Sequence, residues 1–149
     1  MSRLLKYIGV ALAVIVAGIH FFHPDFGIWA AMTYLSIQSF PDPRPFAFVL
    51  SAVAILLSIA LVADGAIPPR VVYLAGMALM VTYIVGYFAW HVLGHGAWWP
   101  WGSGLGSHAH TLRTVLLSED HLRADPIALT SKFAELALLV VLVALYRGD

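Results

Sequence analysis

Four long stretches of this chain are almost free of charged side chains. They cover residues 4–22, 46–63, 71–93 and 126–146. Each is long enough to cross a bilayer, because about 18 to 20 apolar residues in a helix span a hydrocarbon core of about 30 Å. The sequence therefore predicts an all-α integral membrane protein, in which residues 1–149 form one domain with four transmembrane helices.

The composition excludes an ordinary soluble domain and several kinds of site. Hydrophobic residues make up 61% of the chain and charged residues 11%, whereas soluble domains carry about 25% charged residues. The chain has no cysteine, which excludes disulfides, thiolate metal sites and iron–sulfur clusters. Its formal net charge is zero and it has no basic patch, so the expected partner is the lipid bilayer and not a nucleic acid.

Two further segments are predicted to lie at the membrane without crossing it. Residues 26–40 would make a helix only about 22 Å long, so we expect a re-entrant or interfacial helix there. The loop between the third and fourth spans carries a partial apolar stripe, which is typical of a helix on the membrane surface. The stripe consists of Leu112, Val115, Leu116 and Leu122. No small-residue cleavage site follows the first span, which we therefore interpret as a retained signal anchor.

With four crossings, every histidine falls at one end of the bundle, here called the histidine-rich end. The histidines are His20, His23, His91, His95, His108, His110 and His121. All five tryptophans lie at the same end, and tryptophan favours the membrane–water boundary. Basic residues at the opposite end sit in short termini and one tight turn, where the positive-inside rule is strongest. We therefore predict a multi-pass protein of the cell membrane with cytoplasmic termini and the histidine-rich end outside.

The histidine-rich end is a candidate transition-metal site. His91 and His95 are four residues apart, which places both imidazoles on one face of a helix. His108 and His110 would point the same way in an extended segment and would diverge in a helix. Imidazole suits copper, zinc and iron, so these four are the predicted ligands, with ordinary interfacial histidines as the structural alternative. The secondary candidates are His20, His23, His121 and Glu135.

Haem b is the alternative cofactor. His20 and His91 lie at similar depths near the ends of the first and third spans. Two histidines placed in this way could hold a haem iron axially, as in membrane b-type cytochromes. Small residues on both helices would permit their close approach, although ordinary helix packing in lipid explains those residues equally well.

Lys132 and Glu135 lie three residues apart inside the fourth span. Charged side chains within a span usually face the bundle interior or a water-filled cavity. Glu135 lies about 13 Å below the start of its helix and cannot reach as far toward the surface as a lysine. It is therefore the candidate acid or base, or a carboxylate ligand of the histidine site. A structural ion pair with Lys132 is the alternative.

These observations lead to three functional hypotheses. In the first, the histidine-rich end binds a transition metal for metal handling, or for redox or hydrolytic chemistry in the membrane. In the second, the chain is a haem-binding electron-transfer subunit of a respiratory complex. In the third, it is a structural accessory subunit without a site. Partner membrane subunits or a homo-oligomer fit each hypothesis. Seven imidazoles at one end would also respond to pH between about 5 and 7.5.

Overall fold

The computed structural model describes residues 3–40, 42–93, 111–117 and 125–148. Within these ranges the chain is helical and contains no β-strand. The helices are α1 (Arg3–Phe21), α2 (Ile28–Ser36), α3 (Arg44–Ala63), α4 (Pro69–Val92), α5 (Leu112–Leu117) and α6 (Pro126–Gly148). Four of them, α1, α3, α4 and α6, are long and apolar enough to cross a membrane. The prediction of four membrane-spanning helices is confirmed at this level.

The helix boundaries follow from proline and from one capping residue. Pro69 begins α4, because the fixed φ of proline suits the first turn of a helix. Asp125 caps the start of α6. The Asp125 Oδ1 atom accepts hydrogen bonds from the backbone N–H groups of Ile127 and Ala128, each at 2.9 Å.

The bundle is built around α1 and α6. Helix α1 packs against α3 and α6, and α4 packs mainly against α6, whereas α3 and α4 touch each other much less. The buried share of the membrane-spanning segment is 22% in α1 and 28% in α6, but 6% in both α3 and α4. Residues of all four helices form the core, which includes Val16, Ala17, Ala52, Ile55, Tyr73, Met80, Ala134, Leu138, Leu142 and Leu145.

The long helices alternate in direction. His20, in the last turn of α1, contacts Phe48 near the start of α3 and Tyr83 near the end of α4. It also lies beside Glu135 in the first half of α6. The end of α1, the start of α3, the end of α4 and the start of α6 therefore meet at the histidine-rich end.

The two short helices fall where the sequence predicts non-crossing segments. Helix α2 has nine residues and is about 13 Å long, so it cannot span the bilayer as a helix. Helix α5 has six residues. In it Val115 is buried while Leu112 and Leu116 are exposed, and Leu122 lies outside the described residues. The re-entrant or interfacial position of both segments remains a prediction.

Candidate functional site

A buried cluster of polar side chains lies inside the bundle near the histidine-rich end. His20 is its member from α1, and only 1% of this residue is exposed. Its Nδ1 atom lies 2.8 Å from the backbone oxygen of Val16. Since that oxygen can only accept, Nδ1 carries a proton and donates it. The second ring nitrogen, Nε2, points away from α1 toward α6.

Glu135 is the member from α6 and is fully buried. Its Oε1 atom accepts hydrogen bonds from the Ser131 hydroxyl at 2.7 Å and from Lys132 Nζ at 2.8 Å. Its Oε2 atom lies 2.6 Å from the same ammonium group. The spacing of residues 131, 132 and 135 puts all three side chains on one side of the helix. The ion pair with Lys132, the alternative interpretation of Glu135, therefore forms, and it faces the interior.

His20 and Glu135 meet across the helix interface, with 3.4 Å between Nε2 and Oε1. The carboxylate oxygen is an acceptor, and Nε2 of a neutral ring that is protonated at Nδ1 is also an acceptor. A favourable contact needs one additional proton, either on His20 as imidazolium or on Glu135 as carboxylic acid. One proton between Nε2 and Oε1 would therefore make the contact favourable inside the membrane-spanning part of the protein.

Aromatic side chains enclose this position. The Tyr83 ring stacks on the His20 ring with 4.0 Å between centroids, and Phe48 meets His20 edge-on at 4.7 Å. The Tyr83 hydroxyl contacts the Ser51 hydroxyl on α3. Lys132 Nζ also donates to the backbone oxygen of Tyr83 at 3.2 Å. All four long helices are therefore joined by polar or aromatic contacts at the level of the cluster.

A row of polar side chains leads from the cluster toward the end of α4. Lys132 Nζ lies 5.2 Å from the centre of the Tyr87 ring, and the Tyr87 and His91 ring centres are 4.4 Å apart. His91 Nδ1 lies 2.9 Å from the Tyr87 backbone oxygen and so donates to it. That bond places the proton on Nδ1 and the lone pair on Nε2, the arrangement typical of histidines that bind a metal.

His23 is held in the opposite tautomer. Its Nδ1 atom accepts hydrogen bonds from the backbone N–H groups of Asp25, at 3.2 Å, and Phe26, at 3.3 Å. A neutral His23 therefore carries its proton on Nε2. Burial lowers the pKa of His23 from its ordinary value, and the nearby Asp25 carboxylate partly opposes that shift. His23 lies beyond the end of α1, close to the cluster but without a direct contact to Glu135.

Arg44 ties the loop after α1 to the end of α4. Its guanidinium lies 4.1 Å from the centre of the Phe26 ring and 3.9 Å from that of the Trp90 ring. Its Nε atom donates to both carboxylate oxygens of Asp42, at 3.0 and 2.8 Å. Planar stacking together with a forked hydrogen bond is geometry that arginine permits and lysine does not. This contact holds the segments that carry His23 and His91 in a fixed relation.

The structure brings together some of the predicted site residues, and others lie outside the described ranges. His20 and Glu135 were separate candidates in the sequence and are direct neighbours here. His95, His108, His110 and His121 belong to residues 94–110 and 118–124, which the structure does not describe. Among the residues it does describe, no three His, Asp or Glu side chains are grouped closely enough to hold a metal ion. The four-histidine metal site therefore remains a prediction.

Sequence reasoning missed Ser51, Phe48 and the aromatic role of Arg44. Serine and phenylalanine are common in transmembrane helices, and nothing in their spacing distinguishes these two positions. In the sequence, Arg44 stood out only as one of the charged residues. The adjacent Asp42 was the one available signal, since an Asp-x-Arg sequence permits the short-range ion pair that forms.

Comparison with protein-family models, with curated proteins and with solved structures finds no match to this chain. The interpretation of the site therefore depends on its own geometry.

Proposed function

We propose that this membrane protein carries out proton-coupled chemistry at its histidine-rich end, and that the His20–Glu135 pair binds and releases the proton. The observation that carries this proposal is the 3.4 Å approach of two acceptor atoms, His20 Nε2 and Glu135 Oε1, in a fully buried position. Ionisable residues inside a membrane span commonly mark proton relays and ion pathways.

Two opposing costs make the proton exchangeable. With the proton bound, Lys132, Glu135 and His20 together carry one net positive charge, which is unfavourable in a buried site. Without it, the cluster is neutral, but Nε2 and Oε1 face each other as two acceptors. Transfer within the pair moves a proton from His20 Nε2 to Glu135 Oε1 and leaves a neutral imidazole and a neutral acid, so the net charge of the cluster stays constant.

Exchange with solvent takes place through the histidine-rich end. On that side Lys132 is followed by Tyr87 and His91, whose polar atoms can pass protons or order water. On the other side, the next layer of the bundle is apolar and buried, with Val16, Met80 and Leu138 each at most 3% exposed. A dry apolar layer of this kind does not conduct protons.

The test is a pH titration of the ring nitrogens by 15N NMR on histidine-labelled protein. Histidines titrate between about pH 5 and 8, and the His20→Gln variant identifies the His20 signal. We expect Glu135→Gln to change the pH dependence of the His20 ring signals, because the shared proton loses its partner. His23→Asn is the matched control, since it removes a neighbouring imidazole that does not touch Glu135.

A His20 signal that does not respond to pH in the wild type would contradict proton exchange and favour a structural ion cluster. A pH dependence that is unchanged by Glu135→Gln would contradict the shared position of the proton.

A transition-metal site is the second candidate, and one observation favours it. The hydrogen bond from His91 Nδ1 to the Tyr87 backbone oxygen sets the tautomer that metal-binding histidines use. In this proposal His91 acts together with His95, His108 and His110 on copper, zinc or iron. Metal handling and metal-dependent redox or hydrolytic chemistry both fit.

Elemental analysis and isothermal titration with Cu²⁺ and Zn²⁺ test this candidate on protein purified without a polyhistidine tag. The double variant His91→Ala and His95→Ala should lower the affinity at least about tenfold, because it removes two ligands. His23→Asn should leave it unchanged, because the tautomer of His23 is unsuited to binding through Nε2. Equal affinities in all three proteins would exclude His91 and His95 as ligands.

Haem b between His20 and His91 is the competing cofactor. To bind iron through Nε2, His20 would have to give up its contact with Glu135. A visible absorption spectrum of the same preparation decides between haem and a metal ion bound by histidines. A Soret band would favour haem and would contradict the His20–Glu135 proton pair.

The finer topology belongs to the proposal as well. Both termini are assigned to the cytoplasm and the histidine-rich end to the outside of the cell membrane, with α2 and α5 at or within the interface. Partner membrane subunits or a homo-oligomer are compatible with this arrangement. A reporter fused to the C-terminus and one inserted near residue 103 should report opposite compartments; the same compartment for both would contradict the four-crossing topology.

A further inference from the structure

The end of the bundle opposite the histidines contains a lateral crevice. One cavity of about 160 Å³ lies among α1, α3, α4 and α6. A second, of about 230 Å³, lies between α3 and α4. Ser58 and Val72 line both cavities, so the two adjoin. Together they form a passage between α3 and α4 that reaches Leu138 and Leu142 on α6.

Small side chains on α3 and α4 contribute to this opening. Gly9 and Gly76 also line the cavities, but side chains of α6 pack closely on both glycines. The positions that leave space between α3 and α4 are Ala54 and Ala75. Without larger side chains at these positions, α3 and α4 have little to pack against each other. The same cause explains why α3 and α4 make few contacts with each other and why only 6% of the membrane-spanning segment of each is buried.

The lining selects an apolar occupant. Apart from Lys6, Ser58 and Tyr73, every lining residue is apolar, and the Ser58 hydroxyl already donates to the Ile55 backbone oxygen at 2.7 Å. Apolar cavities of this size stay dry and bind hydrocarbons. The crevice also lies between membrane-spanning helices, whose surroundings in the bilayer are acyl chains.

The charged residues at this end indicate which class of lipid would provide an acyl chain for the crevice. The described charged residues here are mostly basic: Arg3, Lys6, Arg70 and Arg147, against Asp64. Lys6 lines the inner cavity itself. A basic surface at headgroup level favours anionic lipid.

We propose that the crevice binds one acyl chain of an anionic phospholipid, with its phosphate near Lys6 and its chain between α3 and α4. The bound chain supplies the packing that α3 and α4 do not give each other. This site is independent of the proton pair, because an apolar layer that includes Val16 and Met80 separates them.

The wild-type protein provides the first test. It is reconstituted with a phosphatidylglycerol that carries a diazirine in its acyl chain and is then irradiated. We expect labelling on residues 54–59, 71–79 and 138–145, and we expect unlabelled phosphatidylglycerol to compete better than phosphatidylcholine. Labelling spread evenly over the outer faces of the helices would overturn the proposal. Equal competition by both lipids would overturn its anionic headgroup. A dimer in native mass spectra, together with no labelling of the crevice, would replace the lipid with a second copy of the chain.

A matched pair of variants provides the second test. Ala75 and Ala78 are both exposed on α4, but only Ala75 lines the crevice. Native mass spectrometry should show weaker phosphatidylglycerol binding for Ala75→Phe, because the larger ring takes up the space between α3 and α4 that the acyl chain fills. Ala78→Phe should bind as the wild type does. Ser58→Phe, which fills both cavities at their common wall, should repeat the loss; equal affinity in all the variants would overturn the site.

Discussion

The two ends of this bundle are held together in different ways. At the histidine-rich end, contacts of His20, Tyr83 and Glu135 join all four long helices. At the opposite end, α3 and α4 separate around an apolar crevice. The same four helices are therefore closed at one end and open at the other.

The difference shows what closes a helix bundle in lipid. Apolar side chains gain little by leaving lipid for another helix, because the lipid tails are as apolar as leucine. Hydrogen bonds and ion pairs between helices have no such substitute in the hydrocarbon. In this bundle, polar groups cross the helix interfaces at the closed end, whereas α3 and α4 are separated by apolar cavities at the other end. The predictions below alter one end and use the other for comparison.

Removal of Glu135 should have the largest effect. Glu135→Ala leaves Lys132 buried and facing His20 without the carboxylate that both contact. Breaking a buried ion pair from one side typically costs about 3–5 kcal/mol of stability. We expect this loss in unfolding by SDS titration, together with weaker packing of α1 against α6.

A double variant distinguishes the cost of an unpaired charge from the contribution of the Lys132–Glu135 pair to the fold. Lys132→Met with Glu135→Leu removes both charges, and replacing a whole buried pair by apolar residues is often neutral or stabilising. We expect it to recover most of the stability lost in Glu135→Ala. A double variant as unstable as the single one would mean that the loss comes from the missing polar contacts and not from the unpaired charge that Glu135→Ala leaves behind.

Substitution of Arg44 should cause the second-largest loss of stability. Arg44→Ala removes its stacking on Phe26 and Trp90 and its ion pair with Asp42, at a cost of about 1–2 kcal/mol. Tryptophan fluorescence should change with it, because Trp90 loses the guanidinium that covers its ring. Arg44→Lys should restore only part of the stability, since an ammonium group cannot stack and fork in the same way.

Arg70, at the open end, is the residue to compare with Arg44. Arg70 has its guanidinium 5.0 Å from the Tyr146 ring centre, a single and more distant contact. Arg70→Ala should therefore cost less than about 0.5 kcal/mol. Equal losses for the two arginines would remove the contrast between the two ends.

Much of the fold follows from the sequence because the bilayer restricts what a chain can form. Length and lack of charge were enough to predict four spans, and Asp125 followed by proline is typical of a helix start such as that of α6. The spacing of Lys132 and Glu135 permits the ion pair that stood as the alternative interpretation, because residues three apart on a helix are neighbours.

The partners across helix interfaces could not be predicted in the same way. Nothing in the spacing of His20 and Glu135, on the first and last long helices, indicates that they meet, because that contact depends on how the helices are rotated and arranged. The same holds for Arg44 between Phe26 and Trp90. Helical periodicity defines faces of single helices, whereas a site between helices needs their mutual packing. His91 was predicted to act with His95, which lies outside the described residues, and the structure shows His91 in contact with Tyr87.

The cap of α6 should have a moderate effect. Asp125→Ala removes the acceptor for the backbone N–H groups of Ile127 and Ala128 and should cost about 1 kcal/mol. Since α6 carries both Lys132 and Glu135, hydrogen exchange should rise most in the first turns of that helix. Asp125→Asn retains a good capping oxygen and should stay within a few tenths of a kcal/mol of the wild type; an equal loss in both variants would point to the charge of Asp125 instead of its hydrogen bonds.

Two glycines of α4 should show the smallest effects and compare the two ends most directly. A Cβ at Gly86, nearer the histidine-rich end, would meet nothing within 4 Å, whereas a Cβ at Gly76 would lie 2.9 Å from Leu142 Cδ1. Gly86→Ala should therefore stabilise the helix by about 0.5–1 kcal/mol. Gly76→Ala should gain less, because Leu142 must turn, but it should not unfold the protein, because Leu142 borders the crevice and has space to move. Thermal unfolding of both variants measures the difference. A large loss for Gly76→Ala would mean that Leu142 cannot move, and hence that the end described here as open is packed.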